Sequence, residues 1–354
     1  MNVLFVYYVP SGGVDTLNRL RCKALKPYGI HGDCLYYGWG AGMQNKSDTP
    51  YYVTKNDIEI KQIIDKGNYD AIVVTTDYVS FPRFRLLGYT GKLVLEVQGY
   101  GPKDVARKEL TQAIPYVNAY AVGLLNPRTP HITALFEELF PAIPRFNFNN
   151  AFDSHSFTYQ PLPRAQEPII GWLGRIQDNK NWREFLQIGH TLIHHGYPKL
   201  QLWMFEDHHL SVPEERVQFH ELVEQLRLKK HLTLRSNVEH AQMPNYFSMI
   251  GDSGGLLCST SKVEGAPYAV LEAMSCRCPV LSTYSDGVSS SIYHNATGKY
   301  YQQGHIAQAI VEAKELMRNL ELRESIRAAA QLHVERNFSA DTYAQHFKAM
   351  LDSL

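Results

Sequence analysis

The chain has 354 residues, enough for two domains of ordinary size, and its 44% hydrophobic and 20% charged residues are typical of soluble globular proteins. Lys and Arg together number 35, as do Asp and Glu, so the charge balance gives no support for binding to nucleic acid or to a strongly anionic membrane. The five cysteines lack metal or redox spacing, and their odd number without a secretory signal indicates reduced thiols and a cytoplasmic protein.

The first half of the sequence alternates predicted strands with predicted helices. The strands are predicted at 3–9, 33–38, 69–76, 92–98, 119–125 and 145–149, and the helices at 15–28, 57–66, 103–114 and 130–139. Such alternation predicts a parallel sheet with helices on both faces.

The first predicted helix carries four cations, Arg19, Arg21, Lys23 and Lys26. A cationic face of this kind can contact anionic lipid or an acidic acceptor, so peripheral membrane contact stays open. The nearby Asp15 and the balanced charge of the whole chain instead favour an ordinary solvated helix face.

A Pro-rich stretch at 158–168 is the candidate linker, and a second alternating series follows it. Its predicted strands are 169–173, 200–205, 232–235, 255–259 and 279–282, and its predicted helices are 182–195, 214–229, 243–250, 268–275 and 306–332. We therefore expect one α/β domain over 1–160 and another over 161–340. The last helix, 341–354, is expected to pack back on the first domain.

The most informative segment is the one in which Glu264 and Glu272 flank a Gly-Ala-Pro-Tyr-Ala-Val-Leu run. It follows a predicted buried strand, and Pro267 suits the first position of the next helix. A strand, a loop and a helix in this order aim backbone N–H groups beyond the carboxyl end of the strand, where anionic ligands bind in α/β proteins. The two carboxylates can therefore bind different hydroxylated parts of one ligand.

Two weaker signals lie at the ends of other predicted strands. Arg175 and Lys180 follow the first strand of the second half, where they can bind phosphate, although each residue alone is more typical of a surface cation. Gly12 and Gly13 follow the first strand of the chain, but they do not form the Gly-x-Gly-x-x-Gly dinucleotide fingerprint and by themselves indicate only a tight turn.

Taken together, these motifs resemble glycosyltransferase family 4, most closely over 169–298. The resemblance implies the GT-B fold, in which two Rossmann-like domains face each other across a cleft. It also implies a retaining enzyme that moves a hexosyl or N-acetylhexosaminyl group from a nucleotide diphosphate sugar, on family frequency a UDP sugar, to a hydroxyl acceptor. That acceptor would be a glycan, a glycolipid or a small molecule.

The resemblance also implies roles for individual residues. Arg175 and Lys180 would neutralise the donor diphosphate, Glu264 would contact the transferred sugar, and Glu272 would hold the ribose hydroxyls. The main chain at Asn237 and Val238 would contact the base of the donor nucleotide. Backbone N–H groups in the segment of Gly265, Ala266, Pro267 and Tyr268 would contact the sugar hydroxyls or the phosphate. Gly12 and Gly13 would approach the diphosphate and the acceptor from the first domain.

Two positions depart from the family pattern. Gln98 stands where relatives often have a His near the sugar, so a histidine-assisted step is in doubt. Arg277 stands where relatives usually have Gly after the carboxylate helix, and a positive φ there would disfavour an arginine by about 1 kcal/mol.

In this family, retention of the anomeric configuration is usually explained by attack of the acceptor from the same face as the leaving group. Such a mechanism needs no protein nucleophile, metal or cofactor. The chain has no acidic Asp-x-Asp pair in a suitable loop, which agrees with an enzyme independent of metal. Two alternatives remain open: a nucleotide-sugar epimerase of the same fold, and a non-catalytic subunit that only binds sugar nucleotides or supports assembly of an active partner.

Overall fold

The computed structural model describes residues 1–45 and 47–354, the side chain of His209 excepted. The chain forms two compact units, one of residues 1–153 with 337–354 and the other of residues 154–336. Each unit is built on a parallel sheet with interleaved helices, which confirms the predicted α/β class. None of the helices in these described residues is both long and apolar enough to cross a membrane.

The first unit contains a parallel sheet with the strand order β3-β2-β1-β4-β5-β6-β7. Its elements are β1 (Asn2–Tyr7), α1 (Gly12–Leu25), β2 (His31–Tyr36), β3 (Tyr51–Val53), α2 (Asp57–Gly67), β4 (Ala71–Thr75), α3 (Phe81–Leu86), β5 (Lys92–Glu96), α4 (Lys103–Tyr120), β6 (Gly123–Asn126), α5 (Pro130–Leu139) and β7 (Arg145–Asn147). Every residue of β4 is buried, as expected for a central strand covered on both faces.

The second unit contains a parallel sheet with the order β10-β9-β8-β11-β12-β13. Its elements are β8 (Ile169–Leu173), α6 (Trp182–His194), β9 (Gln201–Glu206), α7 (Pro213–Gln225), β10 (Leu232–Ser236), α8 (Met243–Asp252), β11 (Leu256–Ser259), α9 (Tyr268–Ser275), β12 (Val280–Thr283), β13 (Lys299–Tyr301), α10 (Ile306–Arg318) and α11 (Leu320–Asn337). In both sheets the strand order reverses beside the first strand, which is where ligands bind in open α/β sheets.

The last helix, α12 (Ala340–Ser353), packs on α1 within the first unit. The rings of Phe347 and Phe5 lie 5.8 Å apart, and Lys92 Nζ donates to the carbonyl oxygen of Leu351 at 2.7 Å. The units divide at residue 153 rather than at the expected 160. The reason is that Phe157 already packs in the second unit, where its carbonyl oxygen accepts a 2.6 Å hydrogen bond from Ser275 Oγ.

Several predicted elements differ from those in the structure. Helix α4 continues through Pro115 to Tyr120, although the sequence predicted its end before that proline. The single helix predicted at 306–332 is broken at Asn319, whose side-chain oxygen accepts from the N–H of Leu322 and so caps α11. The short strands β3 and β13 were not predicted, because three residues carry too little periodicity to stand out.

The interpretation of the first helix as a solvated cationic face was wrong for Arg21. Its side chain is fully buried, and Nη1 lies 2.8 and 2.9 Å from the two carboxylate oxygens of Glu96 at the end of β5. Thr75 Oγ1 donates to the same carboxylate, and the guanidinium lies 3.7 Å from the ring centre of Phe5. Burial lowers the pKa of Arg21, but the Glu96 charge more than offsets it and raises that pKa above its ordinary value.

Breaking this buried pair should destabilise the first unit. Glu96→Gln removes the negative charge at nearly constant shape and leaves the Arg21 cation buried without a counter-charge, so we expect a loss of about 3–5 kcal/mol in the free energy of unfolding. Hydrogen exchange of peptides from the first unit, followed at increasing urea concentrations, measures this change in the free energy of unfolding.

The matched control is Asp65→Asn, which removes the same kind of charge from the exposed Lys61–Asp65 pair. Both of those side chains are more than half exposed, so no measurable change is expected. Equal stability of the two variants would contradict a structural role for the buried pair.

Arg277 occupies the left-handed position that ends α9. Its φ is +57°, its N–H donates to the carbonyl oxygen of Met274, and the N–H of Cys278 donates to that of Ala273. This is the Schellman hydrogen-bond pattern, in which glycine is preferred. The guanidinium pairs with Glu324 at 3.0 Å.

We expect Arg277→Gly to be more stable than Arg277→Ala by about 1 kcal/mol, because only glycine adopts a positive φ without a steric penalty. Both variants lose the pair with Glu324, so the difference isolates the backbone strain. Thermal and urea unfolding of the two proteins measures it, and an alanine variant at least as stable as the glycine variant would refute the assignment.

Candidate functional site

The candidate site of the second unit lies where the neighbouring strands β8 and β11 end. The segment after β8 runs through Arg175 to a short 3-10 helix, Asp178–Lys180, and the segment after β11 runs from Thr260 to Glu264. Because parallel strands present their carboxyl ends at the same edge of the sheet, two segments distant in sequence meet there.

Several hydrogen bonds hold these two segments together. Trp172 Nε1 donates to Thr260 Oγ1 at 3.0 Å, and that hydroxyl lies 2.9 Å from the carbonyl oxygen of Lys180. The N–H of Lys262 donates to the carbonyl oxygen of Asn179, and Asn179 Nδ2 donates to that of Val263 at 3.1 Å. These bonds fix the backbone from which the functional side chains extend.

The ion pair between Lys180 and Glu264 is the centre of this arrangement. Lys180 Nζ donates to Glu264 Oε1, and the two side chains are 26% and 13% exposed. The structure therefore brings together two residues that the sequence predicted for one site. Among the described residues, no hydrogen bond or ion pair engages the side chain of Arg175, a half-buried residue two positions after the end of β8.

The Glu264–Gly265 backbone rests on Gly287. The N–H of Gly287 donates to the carbonyl oxygen of Glu264 at 2.9 Å. A Cβ added at Gly287 would lie 2.0 Å from the carbonyl oxygen of Gly265 and 2.5 Å from that of Glu264, far inside van der Waals contact. Only glycine fits, and nothing in the sequence pattern marked this position.

Gly287→Ala should therefore displace the loop that carries Glu264. We expect a loss of about 1–3 kcal/mol in the free energy of unfolding, as for other overpacked sites, together with faster hydrogen exchange in residues 262–268.

Gly38→Ala provides the control, because a Cβ there meets only Val9 Cγ1 at an ordinary 3.5 Å. Differential scanning calorimetry and hydrogen exchange compare the two variants. Unchanged exchange in residues 262–268 of Gly287→Ala would show that Gly287 does not support the loop.

Glu272 is buried on α9 and has a partner that sequence analysis missed. His240 Nε2 lies 2.7 Å from Glu272 Oε1, and the ring of Phe157 lies over the imidazole with 5.0 Å between the ring centres. His240 comes three residues after Asn237, just beyond β10. The only signal for His240 in the sequence was its position just after the segment expected to contact the nucleotide base.

The main-chain segment predicted to meet a base follows the edge strand β10. Asn237 has a φ of +51°, and its N–H donates to the carbonyl oxygen of Glu206 at 2.9 Å, so this N–H is engaged within the sheet edge. At the start of α9 the structure corrects one detail. Pro267 is the N-cap and the helix begins at Tyr268, whose N–H donates to the carbonyl oxygen of Ala266.

Three predicted residues belong to the first unit. Gly12 and Gly13 are exposed and open α1, and the φ of +65° at Gly12 explains why glycine stands there. Gln98 exchanges hydrogen bonds with Asn150: Gln98 Nε2 donates at 3.3 Å, and Gln98 Oε1 accepts at 2.6 Å. The side chain is thus held in place after β5.

No group of three or more His, Cys, Asp or Glu side chains within residues 1–45 and 47–354, the His209 side chain apart, is arranged to hold a metal ion. All five cysteines are free and buried, and burial raises the pKa of Cys278 to about 12. These thiols are packing groups rather than nucleophiles.

The structure is similar to solved glycosyltransferases over its whole length. HepE of Anabaena, in complex with UDP-glucose, superposes with a TM-score of 0.85 at 17% sequence identity, and 100% of each chain is covered. The chain has the GT-B glycosyltransferase fold. At this level of identity, the likeness establishes the architecture and nothing finer.

Sequence comparison supports the same conclusion for the second unit. Residues 158–333 match the family model described as glycosyl transferases group 1. The mouse alpha-1,3/1,6-mannosyltransferase ALG2 is 21% identical over 68% of this chain and 62% of its own length. An uncharacterized glycosyltransferase of Haemophilus influenzae is 25% identical over 48% of this chain and 49% of its own length. The matches thus span less than two thirds of these relatives.

Proposed function

We propose that this protein is a retaining glycosyltransferase of family 4. It transfers a hexosyl or N-acetylhexosaminyl group from a nucleotide diphosphate sugar to a hydroxyl acceptor, without a metal or cofactor. The observation that carries the proposal is the Lys180–Glu264 pair, which lies at the carboxyl edge of a sheet in a unit that matches glycosyl transferases group 1. Arg175 follows the end of β8 by two residues, at the same edge.

The donor diphosphate binds against Arg175 and Lys180. A guanidinium can donate two parallel hydrogen bonds to phosphate oxygens, while the lysine ammonium acts as a mobile point charge. As the bond between sugar and phosphate breaks, negative charge grows on the leaving diphosphate. Cations already held at that position stabilise the charge more in the transition state than in the ground state, which is what lowers the barrier.

Glu264 has two roles in this proposal. Its carboxylate keeps Lys180 oriented before the donor arrives, and it accepts hydrogen bonds from hydroxyls of the transferred sugar afterwards. Glu272 accepts from the ribose hydroxyls. The leaving diphosphate helps to remove the acceptor proton on the face from which it departs, so the anomeric configuration is retained and no protein nucleophile takes part.

A UDP sugar is the proposed donor. The solved complex of HepE with UDP-glucose supports this choice, while the name of the mouse relative indicates a mannosyl group. The acceptor is a glycan, a glycolipid or a small molecule with a free hydroxyl. The five free thiols support action in a reducing compartment such as the cytoplasm.

Release of nucleotide from a panel of UDP- and GDP-sugars, measured with and without EDTA and with candidate acceptors, tests the proposal. Release with at least one donor that is unaffected by EDTA supports a metal-independent transferase. Tight nucleotide binding without release would favour a non-catalytic sugar-nucleotide-binding subunit, and conversion of the donor to its epimer would favour an epimerase.

Lys180→Ala should lower kcat by about 100-fold, because a charged donor to the departing diphosphate is lost. The KM for the donor should change less, because Arg175 remains. Steady-state kinetics with the preferred donor measures both constants.

Lys199→Ala is the control for this variant. Lys199 is 75% exposed in its pair with Glu167 and lies just before β9, at the amino edge of the same sheet. Wild-type kcat in Lys180→Ala would remove Lys180 from the site.

A further inference from the structure

The structure joins the carboxylate of Glu272 to a residue that neither the motif nor the comparisons assign. Glu272 lies on α9 and His240 opens the short helix after β10, so the 2.7 Å contact between them links two separate segments of the second unit. The Glu272 side chain is 6% exposed and that of His240 is 25% exposed. The histidine is therefore the member of the pair nearer to solvent.

We infer that His240 positions Glu272 for the ribose of the donor and thereby selects ribonucleotides over 2′-deoxyribonucleotides. This inference rests on the proposed function, in which Glu272 accepts hydrogen bonds from the ribose hydroxyls. His240 is a positioning residue, since it acts through the carboxylate.

The chemistry of the contact supports this role. A carboxylate only accepts hydrogen bonds, so Nε2 of His240 carries the proton and donates to Oε1. One donor occupies one of about four lone-pair sites of the carboxylate, so acceptor capacity remains for a ribose diol. A Glu side chain has three rotatable torsions, and a fixed partner removes the freedom that ribose binding would otherwise have to remove.

The histidine is itself held in place. The Phe157 ring lies against the imidazole at a tilt of 32°, and Phe157 also packs against Phe247 with 6.3 Å between the ring centres. The carbonyl oxygen of Phe157 accepts from Ser275 Oγ at the end of α9. Phe157, which packs on His240, is thus itself bonded to α9, the helix that carries Glu272. These contacts together fix the carboxylate relative to the end of β10.

The position of His240 in the chain agrees with this role. It follows Asn237 and Val238, the segment proposed to meet the base, by three and two residues. In a nucleoside the base and the ribose are adjacent. A single segment that contacts the base and also positions the ribose-binding carboxylate would therefore couple recognition of base and ribose.

The test compares UDP with 2′-deoxy-UDP, and GDP with 2′-deoxy-GDP, by isothermal titration calorimetry. His240→Ala should weaken binding of the ribonucleotide by about tenfold, as expected for one lost hydrogen bond to a charged group. Binding of the 2′-deoxynucleotide should change much less. His240→Gln, whose amide can donate to the same oxygen, should recover part of the lost affinity.

A double-mutant cycle with Glu272→Ala decides whether His240 acts through the carboxylate. In the Glu272→Ala background, the further change His240→Ala should have no effect on ribonucleotide affinity. His231→Ala is the matched control: this histidine precedes β10, at the opposite end of the same strand, where Nδ1 lies 2.9 Å from the carbonyl oxygen of Leu200. It should bind both nucleotides as the wild type does.

Three results would overturn the inference while leaving the proposed function intact. They are wild-type ribonucleotide affinity in His240→Ala, an equal loss for ribo- and deoxynucleotides, and tighter ribonucleotide binding in the variant. The last would mean that the histidine competes with ribose for Glu272. Failure of the wild-type protein to bind any of the four nucleotides would overturn the inference and the proposed function together.

Discussion

The pairing of β8 with β11 is the constraint on which the candidate site depends. It brings Lys180 and Glu264, 84 residues apart in sequence, into one ion pair, and the hydrogen bonds through Asn179 and Thr260 keep their backbones in register. Glu264 balances the charge of Lys180, and Arg175, two residues after the end of β8, adds a further positive charge to this edge of the sheet. In the proposed function, this edge of the sheet is where the donor diphosphate binds.

Each unit carries an ion pair at the carboxyl edge of its sheet, and burial distinguishes the two. Arg21 and Glu96 are 0% and 1% exposed, whereas Lys180 and Glu264 are 26% and 13% exposed. A fully enclosed pair cannot exchange its partner for a ligand without unfolding its surroundings, so the first pair is structural. The second pair is accessible enough to exchange a contact with a phosphate or a sugar hydroxyl.

The carboxylates of Glu264 and Glu272 both have cationic or polar partners before any ligand binds. Glu264 is held by Lys180, and Glu272 by His240. Such preorganisation is what a site needs if ligand binding is not to be offset by the cost of fixing flexible side chains. The segment from Glu264 to Glu272 therefore supplies two fixed hydrogen-bond acceptors. The one in the loop is held by the segment after β8, and the one on the helix is held by the segment after β10.

Much of this protein followed from its sequence. The alternation of predicted strands with predicted helices in each half predicted two parallel sheets, because parallel strands are joined by crossover helices. The positive φ suspected at Arg277 is also present. The roles of Gly287, His240 and Arg21 did not follow. Each depends on a neighbour at least 22 residues away: Gly287 on the Glu264–Gly265 backbone, His240 on Glu272, and Arg21 on Glu96. The local periodicity of apolar residues indicates which face of a helix or strand is buried. Which residue pairs with a polar group on that buried face is decided only by the tertiary structure.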